Sequence, residues 1–172
     1  MPLQRLFGMA PLIAAIAMGA GSALLLGGAW WFELWMGLKP CKLCLEQRLP
    51  HYVALPLAAF AVIGIFQGRR MLTLFAMLAL VLTYVISAGL GYYHAGVEWG
   101  WFAGPNDCAG TPAAQAPSMS DFMRQLETTR VVSCTEAAWR MLGLSLAGWN
   151  MLASLALAWV ALQGMRALAK RP

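Results

Sequence analysis

Residues 71–97 form the stretch that decides the fold, and they read MLTLFAMLALVLTYVISAGLGYYHAGV. The run contains no Asp, Glu, Lys or Arg and is bounded by Arg70 and Glu98. A helix needs roughly 20 residues to cross the hydrocarbon layer of a membrane, and a longer one can tilt. Because lipid offers no hydrogen bonds to open backbone groups, an apolar run of this length is expected to be a helix.

Three further apolar runs have a similar length. They lie between Arg5 and Glu33, between Arg48 and Arg69, and between Arg140 and Arg166. The 172 residues are 60% hydrophobic and 11% charged, whereas soluble domains carry about 25% charged residues. We therefore predict an all-α membrane protein, a four-transmembrane-helix bundle that forms a single integral-membrane domain over residues 1–172. The predicted helices are 7–32, 44–66, 71–94 and 142–165.

The first run could instead be a cleaved signal peptide, because it is N-terminal and follows Arg5. Its apolar stretch is much longer than the roughly 7–15 residues of a signal-peptide core. We therefore expect it to be retained as the first helix.

The distribution of basic residues predicts the orientation, since short loops rich in lysine and arginine stay in the cytoplasm. The two tails and the turn between the second and third helices are short and free of acids; they carry Arg5, Arg69, Arg70, Arg166, Lys170 and Arg171. The two other loops, 33–43 and 95–141, are longer, and the seven acids accompany their basic residues. Both termini are thus predicted to be cytoplasmic and both longer loops periplasmic. No basic and aromatic pattern indicates nucleic-acid binding.

The second of these loops contains a predicted short amphipathic helix. Residues 118–121, Ser-Met-Ser-Asp, resemble a helix start. Met119, Phe122, Met123 and Leu126 then share one face. This helix is expected to lie on the membrane surface.

Cys41 and Cys44 form a C-x-x-C pair directly before the second apolar run, and Arg48 follows one turn later. A helix start and a nearby cation both lower the pKa of a thiol, which favours redox chemistry. Two alternatives remain open on spacing alone: a structural disulfide, and a metal site that uses all four cysteines.

Cys108 and Cys134 lie in the second loop, on the same predicted side as the C-x-x-C pair. As a disulfide they could be a simple staple, but two cysteine pairs on one side also permit thiol–disulfide exchange. Electrons that reach the C-x-x-C pair need a two-electron acceptor, and a lipid quinone fits a dithiol at the membrane edge. Arg48 could stabilise negative charge on the quinone, and His94 could hydrogen-bond a quinone oxygen or supply protons.

These motifs together resemble the DsbB family of bacterial inner-membrane thiol–quinone oxidoreductases. The resemblance is carried by C-K-L-C at 41–44, L-E-Q-R at 45–48, the second cysteine pair, and W-R-M-L-G-L-S-L-A-G-W-N at 139–150. It implies that Cys41 and Cys44 exchange electrons with ubiquinone or menaquinone. It implies also that a Cys108–Cys134 disulfide accepts them from a periplasmic DsbA-like thioredoxin-fold protein. Some members have Glu where this chain has Gln47.

Within this hypothesis Cys44 is expected to face the quinone, because it is nearest Arg48, and Cys41 to take part in exchange. Arg48 matches the family's quinone-associated arginine, and His94 matches a histidine at the end of the third helix. Two alternatives differ in class. One is an enzyme resembling the epoxide-reductase quinone enzymes, whose active pair would be expected late in the chain. The other is a non-enzymatic metal-binding or scaffold protein with four coordinating or structural cysteines.

Overall fold

The computed structural model describes residues 11–105, 118–120, 123 and 133–169. Within these residues it contains four long helices: α1 Pro11–Leu34, α2 Lys42–Phe66, α3 Arg70–Glu98 and α4 Leu146–Ala169. All four are long and apolar enough to cross a membrane. The predicted four-helix membrane bundle is thereby confirmed. Most of the predicted amphipathic helix of the second loop lies outside the described residues.

The four helices form a closed ring in the order α1, α2, α3, α4, with α4 packed back against α1. Small side chains such as Ala14, Ala54, Ala61 and Ala161 fill its centre and let the helices approach closely. Met18, Met77, Leu80 and Tyr84 are buried among them, whereas many other large apolar side chains point outward; Leu24, Phe66 and Phe75 are each at least 65% exposed. A ring with a small-residue centre and a large apolar outer surface suits a lipid environment.

One end of the ring is formed by the last turns of α1 and α3 and the first turns of α2 and α4; we call it the cysteine end. Exposed tryptophans surround it, among them Trp30, Trp31, Trp35, Trp99 and Trp101. Tryptophan concentrates where hydrocarbon meets water, because its ring is apolar and its N–H is polar. The aromatic cluster therefore marks the cysteine end as a membrane–water boundary.

Helix α2 continues through Pro50 and Pro56 without interruption. A proline inside a helix can kink it and rotate the residues that follow. Here His51 is buried inside the ring with only 2% of its surface exposed. Both prolines are accommodated within one spanning helix.

Several helix ends differ from the predicted bounds by up to four residues, and two of them have a visible structural reason. Helix α3 extends past residue 94 and ends at Glu98. Trp99 is its C-cap residue, and Gly100, with a φ of 74°, then turns the chain. Helix α4 begins at Leu146 instead of 142, because residues 140–145 form a hairpin. Its strands, β1 Arg140–Met141 and β2 Leu144–Ser145, pair antiparallel.

The hairpin turn explains the later start of α4. Its two central residues, Leu142 and Gly143, both have positive φ, 52° and 82°. Positive φ at both central positions matches the right-handed twist of paired strands but cannot continue a helix. Leucine rarely adopts this conformation, so no turn could be predicted from the residue type at position 142.

Gly91 tests the close contact between α3 and α4. A Cβ added at Gly91 would lie 2.9 Å from the Met151 nitrogen and 3.0 Å from the Ala147 oxygen, both backbone atoms. Gly91→Ala should therefore push the helices apart and lower the free energy of unfolding by about 1–3 kcal/mol. Gly89→Ala is the matched control, because nothing lies within 4 Å of its added Cβ. Denaturant unfolding of the reconstituted protein measures both, and equal losses would contradict the contact.

Candidate functional site

The site is built around the first turn of α2. Cys41 is the N-cap residue of this helix, with φ −78° and ψ 173°, and its sulfur accepts a hydrogen bond from the Cys44 N–H at 3.3 Å. Both cysteines are free, and their sulfurs lie 2.9 Å apart. A disulfide needs about 2.05 Å, so a small movement would close the bond. The C-x-x-C pair thus opens α2, as the sequence predicted.

His94 comes from the cysteine end of α3 and joins this pair. Its Nε2 lies 3.6 Å from the Cys41 sulfur. Its Nδ1 lies 2.6 Å from Gln47 Nε2, and Glu98 Oε1 is 3.7 Å from its Nε2. His94, which the sequence predicted to hydrogen-bond a quinone oxygen or supply protons, is therefore in direct contact with the C-x-x-C pair.

The environment of Cys41 favours its thiolate. The hydrogen bond between the two sulfurs lowers the pKa of Cys41 most, and burial opposes it. The His94 ring and the Cys44 backbone N–H lower the pKa further, to about 4. A thiol with such a pKa is a thiolate at neutral pH, which is the form that attacks disulfides.

Arg48 lies near the pair but makes its strongest contacts with α1. Its Nη1 donates to Glu33 Oε2 at 2.6 Å, its Nη2 donates to the Ala29 carbonyl at 3.4 Å, and its guanidinium lies 5.2 Å from the centre of the Trp30 ring. From the sequence we predicted that Arg48 lies beside Cys44 and is the cation that lowers the pKa of a thiol of the C-x-x-C pair. In the structure Cys44 and His94 lower the pKa of Cys41, and Arg48 is held toward α1.

A cavity of about 240 Å³ lies at the cysteine end and brings these groups together. Its apolar walls come from α1 and α4, with Leu25, Phe32 and Trp149 among them. Its polar lining includes Cys41, Cys44, Gln47, Arg48, His51, His94 and Asn150. Mostly apolar walls with a few convergent polar groups are typical of a small-molecule site. Arg48 and His94, the two predicted cofactor-binding residues, both line this cavity.

Cys134 of the second loop lies at the site, and Glu136, Ala138 and Trp139 of the same loop line the cavity. Cys134 is 1% exposed and packs in one cluster with Cys41, Leu43 and Val97. Cys108 lies outside the described residues, so its pairing with Cys134 stays a prediction. The structure brings together three of the four predicted catalytic cysteines at the cysteine end.

Three polar residues of the site were not predicted as site residues: Gln47, His51 and Asn150. Gln47 and His51 are 7% and 2% exposed. Asn150 Nδ2 donates to Gln47 Oε1 at 2.9 Å, and His51 Nε2 donates to Asn150 Oδ1 at 2.9 Å. Their position inside or at the start of apolar runs is the feature of the sequence that could have identified them, because polar residues within spanning helices usually have a functional role.

The same atoms could also hold a metal ion. Cys41, Cys44 and His94 each offer one ligand atom, and these atoms lie within 4.8 Å of one another. Two sulfurs and an imidazole nitrogen are the ligand types that zinc prefers. The geometry of this cluster therefore permits redox chemistry and metal binding alike.

His94→Ala tests the control of the Cys41 thiolate. Removing the ring deletes a hydrogen bond and an electrostatic interaction that lower the pKa of Cys41, so that pKa should rise from about 4. As the pH falls, the native protein should keep the Cys41 thiolate down to about pH 4. In the variant the same thiolate should become protonated at a higher pH. Thiolate ultraviolet absorbance of the reduced protein, followed against pH, measures both curves.

Tyr93→Phe is the matched control for His94→Ala, since it removes only a hydroxyl that donates to the Ala103 carbonyl at 2.9 Å. This variant should retain the native titration curve. Superimposable curves for the native protein and His94→Ala would remove His94 from the control of Cys41.

Comparison with known proteins agrees with the site. A family model described as Disulfide bond formation protein DsbB matches residues 11–164. A Disulfide bond formation protein B from Xylella fastidiosa (strain Temecula1) is 30% identical over 155 residues, which cover 86% of each chain. Its counterpart in Pseudomonas syringae pv. tomato is 34% identical over 135 residues, covering 75% of this chain and 74% of that one. The resemblance seen in the motifs is confirmed: the chain belongs to the DsbB family of disulfide bond formation proteins.

Proposed function

We propose that this protein is a membrane thiol–quinone oxidoreductase. It re-oxidises a periplasmic DsbA-like thioredoxin-fold dithiol oxidase and passes the electrons to ubiquinone or menaquinone. The observation that carries the proposal is the position of the Cys41–Cys44 dithiol in the wall of an apolar cavity at the cysteine end. The protein would lie in the bacterial inner membrane, with both termini cytoplasmic and the cysteines periplasmic.

The partner would be oxidised by thiol–disulfide exchange. A thiolate of the reduced partner attacks the Cys108–Cys134 disulfide and forms a mixed disulfide with one of the two sulfurs. The partner's second thiol then displaces that sulfur, so the partner leaves as a disulfide. Cys108 and Cys134 are left as two thiols that hold the two electrons.

Exchange would next move these electrons to the C-x-x-C pair. Cys134 packs in the same buried cluster as Cys41, which supports Cys41 as the residue attacked in this step. Cys134 attacks the Cys41 sulfur of a Cys41–Cys44 disulfide and releases Cys44 as a thiolate. Cys108 then attacks Cys134 and releases Cys41, so the Cys108–Cys134 disulfide re-forms and Cys41 and Cys44 become the dithiol. A low pKa of Cys41 assists, because a sulfur that is stable as a thiolate is a good leaving group.

The cavity would receive the quinone. A quinone, when bound, takes up two electrons and two protons, and a DsbA-type partner near −120 mV needs an acceptor at least as oxidising. Cys44 lines the cavity and is less buried than Cys41, which supports its assignment to the quinone-facing role. The Arg48 guanidinium would stabilise negative charge on a quinone oxygen. We assign His94 to the Cys41 sulfur, since Nε2 is 3.6 Å from it.

Cys44→Ala tests the redox role of the pair. Without Cys44 the C-x-x-C disulfide cannot form, so quinone reduction by the reduced partner should fall to background. Ser133→Ala, which alters an exposed hydroxyl beside Cys134, is the control and should turn over normally. Unaltered turnover of Cys44→Ala would refute the mechanism.

Arg48→His tests the role of the guanidinium at the cavity. It removes a charged donor worth about 1.5–3 kcal/mol, so the KM for quinone should rise roughly tenfold or more. The KM for the protein partner should stay close to the native value. Arg70→His is the control, because Arg70 is exposed and donates to the Ala169 carbonyl at 3.1 Å, away from the cysteine end. An unchanged KM for quinone in Arg48→His would place Arg48 outside the site.

A second candidate function is metal binding, which the cluster of Cys41, Cys44 and His94 ligand atoms favours. Metal analysis of the purified protein, carried out beside the quinone-reduction assay, separates the two. A stoichiometric metal with no quinone reduction would favour the metal protein. Quinone reduction by metal-free protein would favour the oxidoreductase.

A further inference from the structure

The protein has two histidines, and both belong to one buried series of hydrogen-bonded side chains. This series runs from the Cys41 sulfur through His94, Gln47 and Asn150 to His51, and it links α3, α2 and α4. Its three contacts between His94 and His51 measure 2.6, 2.9 and 2.9 Å. We call this series the amide bridge, after the Gln47 and Asn150 side chains at its centre.

The direction of each hydrogen bond follows from the chemistry of the amides. An amide nitrogen can only donate, and an amide oxygen can only accept. Gln47 Nε2 faces His94 Nδ1, so Nδ1 accepts and carries no proton. In a neutral ring the proton is then on Nε2.

The far end of the amide bridge is coupled to this direction, and Ser22 and Ser87 also contact the His51 ring. Asn150 Oδ1 faces His51 Nε2, so His51 donates from Nε2. Asn150 therefore turns its Nδ2 toward Gln47 Oε1, which in turn leaves Gln47 Nε2 for His94. Reversing the bond at His94 would require both amides to rotate and His51 to change its tautomer.

The surroundings of His94 Nε2 favour the same tautomer. Nε2 lies 3.6 Å from the Cys41 sulfur and 3.7 Å from Glu98 Oε1, which are both acceptors when ionised. A bare Nε2 would face two negative groups, whereas an Nε2–H attracts both. Among the described residues, the other carboxylate oxygen, Glu98 Oε2, is buried without a hydrogen-bond partner.

We propose that Gln47 and Asn150 are positioning residues, which couple the hydrogen-bond directions of His94 and His51 and hold the His94 N–H toward the Cys41 sulfur. The inference rests on the proposed function for its use, because a thiolate stabilised in this way serves the exchange step. The tautomer itself does not depend on quinone or on a partner protein.

Other charged or titratable groups face this corner of the cavity and belong to any account of its pH dependence. They are Cys44 of α2, Glu98 of α3, the Arg48–Glu33 pair between α2 and α1, Lys39 before α2, and Glu136 of the second loop. None of them contacts Asn150 among the described hydrogen bonds and ion pairs. A change made at Asn150 therefore acts on His94 through Gln47.

Nuclear magnetic resonance of the reduced full-length protein in lipid nanodiscs, with isotope-labelled histidine rings, tests the proposal. Two histidines give two sets of ring signals, and His51→Gln assigns them by removing one. The native protein should show His94 with a bare Nδ1 and a protonated Nε2. A proton on Nδ1 of His94 in the native protein would overturn the proposal.

Asn150→Asp provides the decisive comparison. A carboxylate only accepts, so it keeps the bond from His51 Nε2 but now draws Gln47 Nε2 toward itself. Gln47 Oε1 then faces His94, whose Nδ1 should gain a proton while the His51 signals keep their tautomer. Gln47→Glu should produce the same His94 change directly and supplies the reference spectrum.

Two further variants complete the design. Asn150→Leu removes both polar atoms and should leave His94 as a mixture of two tautomers. Thr83→Val removes a hydroxyl of α3 that bonds its own helix at Ala79, so the native spectrum should persist. If either Asn150 variant folds with an unchanged single His94 tautomer, the amide bridge does not couple the two directions. This result would leave the quinone-reduction assay, and with it the proposed function, untouched.

Discussion

Hydrocarbon supplies no hydrogen bonds, so a polar side chain inside the ring of helices needs a partner within the protein, either on its own helix or on another one. This constraint explains most of the interior. Ser22, Ser87 and Ser154, each fully buried, bond Tyr84, His51 or each other across the helix contacts. The same rule joins Gln47, Asn150 and the two histidines into one continuous series. Packing of small residues and pairing of polar ones therefore cooperate to fix the register of the four helices.

That fixed register also determines the chemistry of the site. Cys41 caps α2, so its sulfur accepts a backbone N–H in addition to the contacts with Cys44 and His94. The groups that stabilise its thiolate thus come from the start of one helix and the end of another. Arg48 is held toward α1 by Glu33 and Trp30, and so contributes its charge to the cavity wall. The dithiol and the cation meet across the cavity instead of forming a direct ion pair.

Much of this arrangement is predictable from the residues. Uncharged runs such as 71–97 must be helices in lipid, and the C-x-x-C pair before the second run had to lie at a helix start. The sequence could not reveal which polar residues of different helices meet, because that depends on the rotation of each helix about its axis. Gln47 and Asn150 are 103 positions apart and converge only when α2 and α4 pack against α3. The hairpin before α4 was also missed, since Leu142 occupies a conformation that leucine seldom adopts.

The hairpin at residues 140–145 has a mechanical consequence. The Trp149 indole of α4 donates to the Met141 carbonyl at 3.1 Å, which fastens the hairpin to the helix. Only residues 135–140 lie between Met141 and Cys134, a tether whose fully extended length is about 25 Å. Cys134 therefore stays close to the membrane surface whatever the remainder of its loop does. A protein that exchanges disulfides with Cys134 must approach the helix bundle closely. This requirement limits the orientations in which the two proteins can bind.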